Sequence, residues 1–169
     1  NYFTLAKDMS YLEHREIADI SIYALYKDYH DVITPRLKKM EAKIQEEFEE
    51  CRTRVYVDTG PILEKPLAQQ AGLGWIGKHT NLLTQGMGSW YFLSEILTDV
   101  VFPPSQPAED HCGTCRSCID ICPTKAIIAP YVLDSRRCIS YLNIELKGVI
   151  PIEYRKAIGN RIYGCDDCQ

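Results

Sequence analysis

No apolar run in this 169-residue chain approaches the ~20 residues that a helix needs to cross a bilayer, which argues against a helical membrane span. The opening Asn1-Tyr2-Phe3-Thr4 lacks the basic and apolar regions of a secretory signal. No methionine stands first, so the sequence predicts a chain that begins inside a longer protein. An excess of one charge is also missing: a formal net charge of −4 marks neither nucleic acid nor an anionic membrane as a partner for the chain as a whole. Cysteine is almost absent from the first 111 residues, where only Cys51 occurs, and this one reads as a free structural thiol. A secreted disulfide scaffold would spread its pairs through the fold, so the distribution points to a reducing, cytoplasmic compartment.

What is present divides into two parts. Residues 31–50 predict an amphipathic helix, because Ile33, Leu37, Met40, Ile44 and Phe48 recur at steps of three and four. Pro35 is expected in its first turn, where a missing N–H costs least. Val55-Tyr56-Val57 reads as a short buried strand stopped by Asp58-Thr59-Gly60-Pro61, residues 62–71 as a second helix ended by Gly72, and 90–101 as a buried strand. Between them lie a glycine-rich loop at 74–79 and a turn at 86–89. Alternating helix and strand predict an α/β layer with loops at one edge. Pro103-Pro104-Ser105-Gln106-Pro107 is a linker by composition.

The second part holds the other seven cysteines, between Cys112 and Cys168. Cys112-x2-Cys115-x2-Cys118-x3-Cys122-Pro123 is the spacing with which three thiolates wrap one 4Fe-4S cubane while the fourth, before proline, ligates a second. The second cubane then takes Cys122, Cys138, Cys165 and Cys168. The first has Cys112, Cys115 and Cys118, and its fourth ligand is expected a few residues beyond Gln169, which predicts truncation. Zinc ribbons use two C-x2-C knuckles separated by a longer span and do not account for this run. Two clusters in a small ferredoxin-like fold conduct electrons, and the hundred or so residues before them imply a consumer of those electrons.

Several motifs around this module, taken together, resemble the epoxyqueuosine reductase family. They are Asp28-Tyr29-His30, Val57-Asp58-Thr59-Gly60-Pro61, Ala71-Gly72-Leu73-Gly74-Trp75-x2-Lys78-His79, Arg137-Cys138-Ile139-Ser140-Tyr141-Leu142, and the run from Ile158 through Gly164-Cys165-Asp166-Asp167-Cys168-Gln169. The match runs from about Ile20 to the end with its motifs in order. The resemblance implies an α+β protein: a partial α/β cobalamin-binding domain over residues 1–106, then a two-cluster ferredoxin-like domain over 107–169. It also implies cobalamin beside two 4Fe-4S clusters, tRNA carrying epoxyqueuosine at the anticodon as substrate, and an external low-potential electron donor to a monomeric enzyme. The reaction implied is two-electron reduction of an epoxide to an alkene with loss of water, the last step of queuosine synthesis.

The same resemblance distributes roles. An epoxide C–O bond that breaks leaves an alkoxide, which departs only when protonated, and Asp58 matches the family's proton donor. Read from its residues alone, Asp58 is equally a turn-forming aspartate bonded to its own backbone. Asp28 is the rival acid, with His30 beside it, and both also read as the cap and N-terminal charge of the following helix. His79 is a candidate corrin contact or a solvated loop histidine, and Ser140 a candidate cofactor contact from the cluster side. Residues 134–161 carry six basic residues against three acidic, so Lys147, Arg155, Lys156 and Arg161 are candidate phosphate contacts; the alternative is an ordinary solvated face. Two other functions fit parts of the pattern: another corrinoid iron–sulfur reductase, such as a dehalogenase, and a plain ferredoxin-type carrier.

Overall fold

Asp28 starts the longest helix. Its carboxylate accepts the His30 backbone N–H at 2.8 Å, satisfying one of the donors that a helix N-terminus leaves open, and α1 follows over Tyr29–Glu47. The helix thus begins at the cap residue rather than at the hydrophobic pattern, and Pro35 falls inside it instead of in the first turn. Its buried stripe is narrower than the periodicity predicts: Leu37 and Glu41 are covered, whereas Met40 is 56% exposed. Glu41 is tolerated there because Lys38 and Thr53 donate to its carboxylate at 2.7 and 3.0 Å.

In a computed structural model that describes Ser10, Leu12, His14 and residues 16–169, helix and strand are mixed, and the strands associate in twos. β1 is Asp19–Ile20, and β2 (Thr53–Tyr56) pairs antiparallel with β5 (Glu95–Thr98) from Thr53↔Thr98 to Tyr56↔Glu95. Helix α1 covers this pair. α2 (Glu64–Gln70) leads into the antiparallel pair β3 (Trp75–Ile76) and β4 (Leu82–Leu83). The expected α/β layer is therefore a set of short antiparallel pairs, because the β3–β4 connection is too short for the crossover that a parallel sheet needs. The predicted strand over 90–101 is regular only at 95–98, since β2 ends at Tyr56 and offers no further partner.

The cysteine part contains α3 (Ser117–Ile121), the hairpin of β6 (Ile127–Ala129) and β7 (Val132–Leu133), a 3-10 turn at Ser135–Arg137 and a π-helical turn at Tyr141–Glu145. α4 (Ile152–Ile158) and β8 (Arg161–Tyr163) complete it. Ile139, Leu142 and Ile158 form its buried core, with Tyr154 and Leu146 against them. β1 pairs in parallel with β8, so residues 19–22 fold with the cysteine part although they lie far before the linker. Ile22, 2% exposed, anchors that junction.

The loop after β8 is fixed from three sides. Asp166 accepts the Ile22 N–H at 2.8 Å and the Ser21 hydroxyl. Asn143 donates to the Arg161 and Gly164 carbonyls and accepts the Gly164 N–H at 3.0 Å. Gly164 has φ +72, and a Cβ there would stand 2.4 Å from Ser21 Cβ, so only glycine permits the approach. Arg161 and Asp167, with side chains 8% and 7% exposed, form a bidentate pair at 3.0 and 2.6 Å. Removing one partner of such a pair strands the other charge. Asp167→Ala is expected to cost about 3–5 kcal/mol in urea denaturation, and Arg161→Met/Asp167→Leu to recover most of it. Equal losses in both variants would show that the pair is not what holds the loop.

Candidate functional site

β2 delivers Asp58 to the rim of a cleft. Val57 before it is buried, and Asp58 itself sits at φ +59, a left-handed conformation uncommon outside glycine that aspartate tolerates better than most and that its surroundings hold here. Those surroundings are the Asp58 N–H, which donates to Glu64 Oε1 at 3.1 Å, and Asp58 Oδ2, which accepts the Tyr29 hydroxyl at 2.5 Å. Tyr29 stacks on Phe92 at 4.3 Å and meets Tyr23 edge-on at 6.5 Å. Burial, followed by Asp58, pushes the Tyr29 phenol well above its ordinary value, so it remains a donor to the carboxylate.

Tyr23, Tyr29, Asp58 and Phe92 line two adjoining cavities, of about 430 and 360 Å³. One extends to Cys138, Ser140 and Tyr141 of the cysteine part, and the other to Lys65, Asn81, Ser89 and Gln169. Lys65 donates to the Thr80 carbonyl at 2.9 Å, and burial lowers its pKa. Gln169 also borders a third cavity, of about 490 Å³, that holds Cys112, Cys115, Cys118 and Cys168. The aspartate cleft and the thiols are thus neighbours.

None of the eight cysteines is paired in a disulfide. Burial raises the Cys168 pKa, and the nearby Cys138, Cys122 and Cys118 add to the rise; burial raises Cys118 too, followed by Cys112. Thiols that oppose each other's ionisation are relieved by a shared cationic core, so this donor set fits iron–sulfur ligation. Among the described residues no three ligating side chains close on a single metal ion, and a cubane does not require it, since each thiolate binds a separate iron. Cys165 packs, partly buried, against the Ile139–Leu142–Ile158 core and donates to Asp167 at 3.4 Å. Backbone and indole N–H groups already point at sulfur: Ala126 N to Cys122 at 3.3 Å, and Trp75 Nε1 to Cys112 at 3.4 Å.

The other candidates separate. Asp28 caps α1, and hydrogen bonds from the backbone and ring of His30 hold its carboxyl below the usual range, which suits a carboxylate and not a proton donor. Ser140 lines the aspartate cleft. His79 is 4% exposed and borders the thiol cavity, so it is neither a solvated loop residue nor part of the Asp58 wall. Arg161 is a correction: buried and paired with Asp167, it cannot serve as a phosphate contact, whereas Lys147, Arg155 and Lys156 are exposed. The sequence reading passed over Tyr29, although it sits between the two residues weighed there. Phe92, Lys65 and Glu95 carried no local signal.

Glu95, opposite Tyr56, has its carboxyl pushed up to about 7 by burial, then by Glu64 and Asp58. Raised above its ordinary 4.5, it favours the fold while protonated, and that contribution fades as pH climbs through about 7. The melting temperature of Glu95→Gln should therefore gain on the native protein between pH 5 and 8; parallel pH profiles would contradict the assignment.

Residues 111–169 match the family described as "4Fe-4S double cluster binding domain", and residues 1–59 match "Epoxyqueuosine reductase QueG, DUF1730". The epoxyqueuosine reductases of Vibrio cholerae and Xanthomonas campestris are 56% and 58% identical over 90% of this chain. The chain spans about two fifths of these relatives, 41% and 43% of their lengths. A selenomethionine-labelled epoxyqueuosine reductase superposes with TM-score 0.86 at 41% identity, over 90% of this chain and 40% of the other. An epoxyqueuosine reductase with an epoxyqueuosine-modified tRNA-Tyr stem loop gives TM-score 0.80 at 43% identity, over 85% and 38%. The Bacillus subtilis enzyme, in a form with its catalytic aspartate loop swung out of the active site, gives 0.79 at 41%, over 85% and 37%. In sequence and in fold, the chain belongs to the epoxyqueuosine reductase family.

Proposed function

We propose that this chain supplies the proton-donating wall and the electron-conducting module of an enzyme that reduces epoxyqueuosine to queuosine in tRNA. The observation that carries the reading is Asp58, held by Tyr29 where two cavities meet, one of which reaches Cys138 and Ser140 of the cluster module. Reduction of an epoxide to an alkene takes two electrons and two protons and releases water. The acid and the electron supply must therefore face one substrate.

Cys112, Cys115 and Cys118 would hold one cluster, and Cys122, Cys138, Cys165 and Cys168 the other. The open, aromatic-walled cleft would form one wall of a site for a large flat cofactor such as cobalamin, with Ser140 at its cluster side. When bound, these groups would supply electrons, received from an external low-potential donor, and a cobalt centre able to reduce the C–O bond. The rest falls to side chains. Asp58 delivers a proton to the oxygen released by epoxide opening, and the Tyr29 hydroxyl, which donates to Asp58 Oδ2, holds the carboxyl in place. Tyr23, Tyr29 and Phe92 keep water from one side of the reacting carbon. Lys147, Arg155 and Lys156, all exposed, offer charge to the tRNA backbone. No helix among the described residues is long and apolar enough to cross a membrane, in keeping with a cytoplasmic tRNA enzyme.

The test is Asp58→Asn, which preserves shape and removes the proton. Iron content and tRNA affinity should stay at native levels. Product alkene in single-turnover assays with chemically reduced enzyme should fall by ~10²–10⁴-fold, the range for a lost general acid. Asp28→Asn should be milder, since Asp28 serves α1. Near-native turnover for Asp58→Asn, or a dead Asp28→Asn, would move the acid elsewhere.

A further inference from the structure

The loop between β3 and β4 and its approaches carry a motif that the proton and electron roles above leave unused. Gly74 allows the chain to come so close to β4 that a Cβ would stand 2.1 Å from the Leu83 carbonyl oxygen. The hairpin thereby seats Trp75 and Lys78 against the loop of residues 111–118. Lys78 is 8% exposed, an unusual position for a lysine, and its ammonium donates to the Gly113 carbonyl at 2.6 Å and the Cys115 carbonyl at 2.7 Å. Both acceptors are neutral, so the charge is held in place without being cancelled by either. The Tyr131 N–H donates to the Lys78 carbonyl at 3.0 Å, pinning the same residue to the β6–β7 turn. Trp75 donates its indole N–H to Cys112 sulfur at 3.4 Å.

We propose that Lys78 is a positioning residue that grips the Cys112–Cys118 loop and, through its buried charge, raises the reduction potential of the cluster held there. The inference rests on the reading of Cys112, Cys115 and Cys118 as ligands. A cubane bound by thiolates is anionic, and each added electron increases that charge. A fixed, buried cation behind the ligand loop stabilises the reduced form more than the oxidised one. The neighbouring cluster, whose ligands follow Cys118, gains less because the ammonium points at Gly113 and Cys115. The charge would thus shift electrons toward the cluster held by Cys112, Cys115 and Cys118 relative to the one held by Cys122, Cys138, Cys165 and Cys168.

The experiment is a redox titration of the full-length, anaerobically reconstituted protein, followed by electron paramagnetic resonance, comparing the native protein with Lys78→Met and Lys78→Arg. One of the two midpoint potentials should fall in Lys78→Met by about tenfold in the reduction equilibrium, ~59 mV for one electron. The other should stay, and Lys78→Arg should restore the first. If Lys78→Met fails to load that cluster, Lys78→Arg decides: a native potential supports the proposal, and a lowered potential or failed loading overturns it. Unchanged potentials in a loaded Lys78→Met overturn the inference alone. A native protein that shows no cluster signal overturns the reading of the cysteines along with it.

Discussion

The return of the chain's last residues onto its early ones governs the geometry of everything described. β8 pairs with β1, Asp166 takes hydrogen bonds from Ser21 and Ile22, and Arg161 grips Asp167. These contacts set where Cys165 and Cys168 stand and bring Gln169 to the border between the aspartate cleft and the thiol cavity. A buried ion pair is a costly way to hold a loop, because both charges leave water. What it gives is a fixed register for Cys165 and Cys168, the two thiols proposed as cluster ligands.

Within that frame the labour is divided by chemistry. The acid proposed as proton donor lies on the first part of the chain: Asp58 on its left-handed turn, with Tyr29 as its hydrogen-bond donor and the Glu64 and Glu95 carboxyls nearby. The thiols proposed to hold the electron-carrying clusters lie on the second. Their meeting depends on few side chains, since the strands are short and paired only in twos. Strain at Asp58 is consistent with this: a left-handed aspartate gives up backbone comfort to aim its carboxylate into the cleft.

Much of this was legible in the sequence, for physical reasons. Ligand spacing is a local property, so the C-x2-C-x2-C-x3-C-P run declares itself without any tertiary information. Asp58 stood out through its resemblance to the family's motif, because a turn that stops a strand reads equally as a backbone-bonded aspartate, and Asp28 read as a cap because capping is local. The layered α/β arrangement was not legible, because helix–strand alternation does not reveal which strands pair. Arg161 misled because a charge count cannot see a partner six residues on that buries with it. Phe92 and Lys65 enter the cleft only through long-range packing, and Lys78 reaches the thiol cavity through hydrogen bonds to residues more than thirty positions away.

The central claim is that two clusters share the seven cysteines in the stated division, and metal analysis of the anaerobically purified full-length protein tests it most directly. The account requires about eight irons and eight sulfides per chain, and about half of each in Cys122→Ala with one cluster spectrum preserved. Stoichiometric zinc without sulfide, or a Cys122→Ala protein that loses the cluster bound by Cys112, Cys115 and Cys118 and keeps the other, would contradict it.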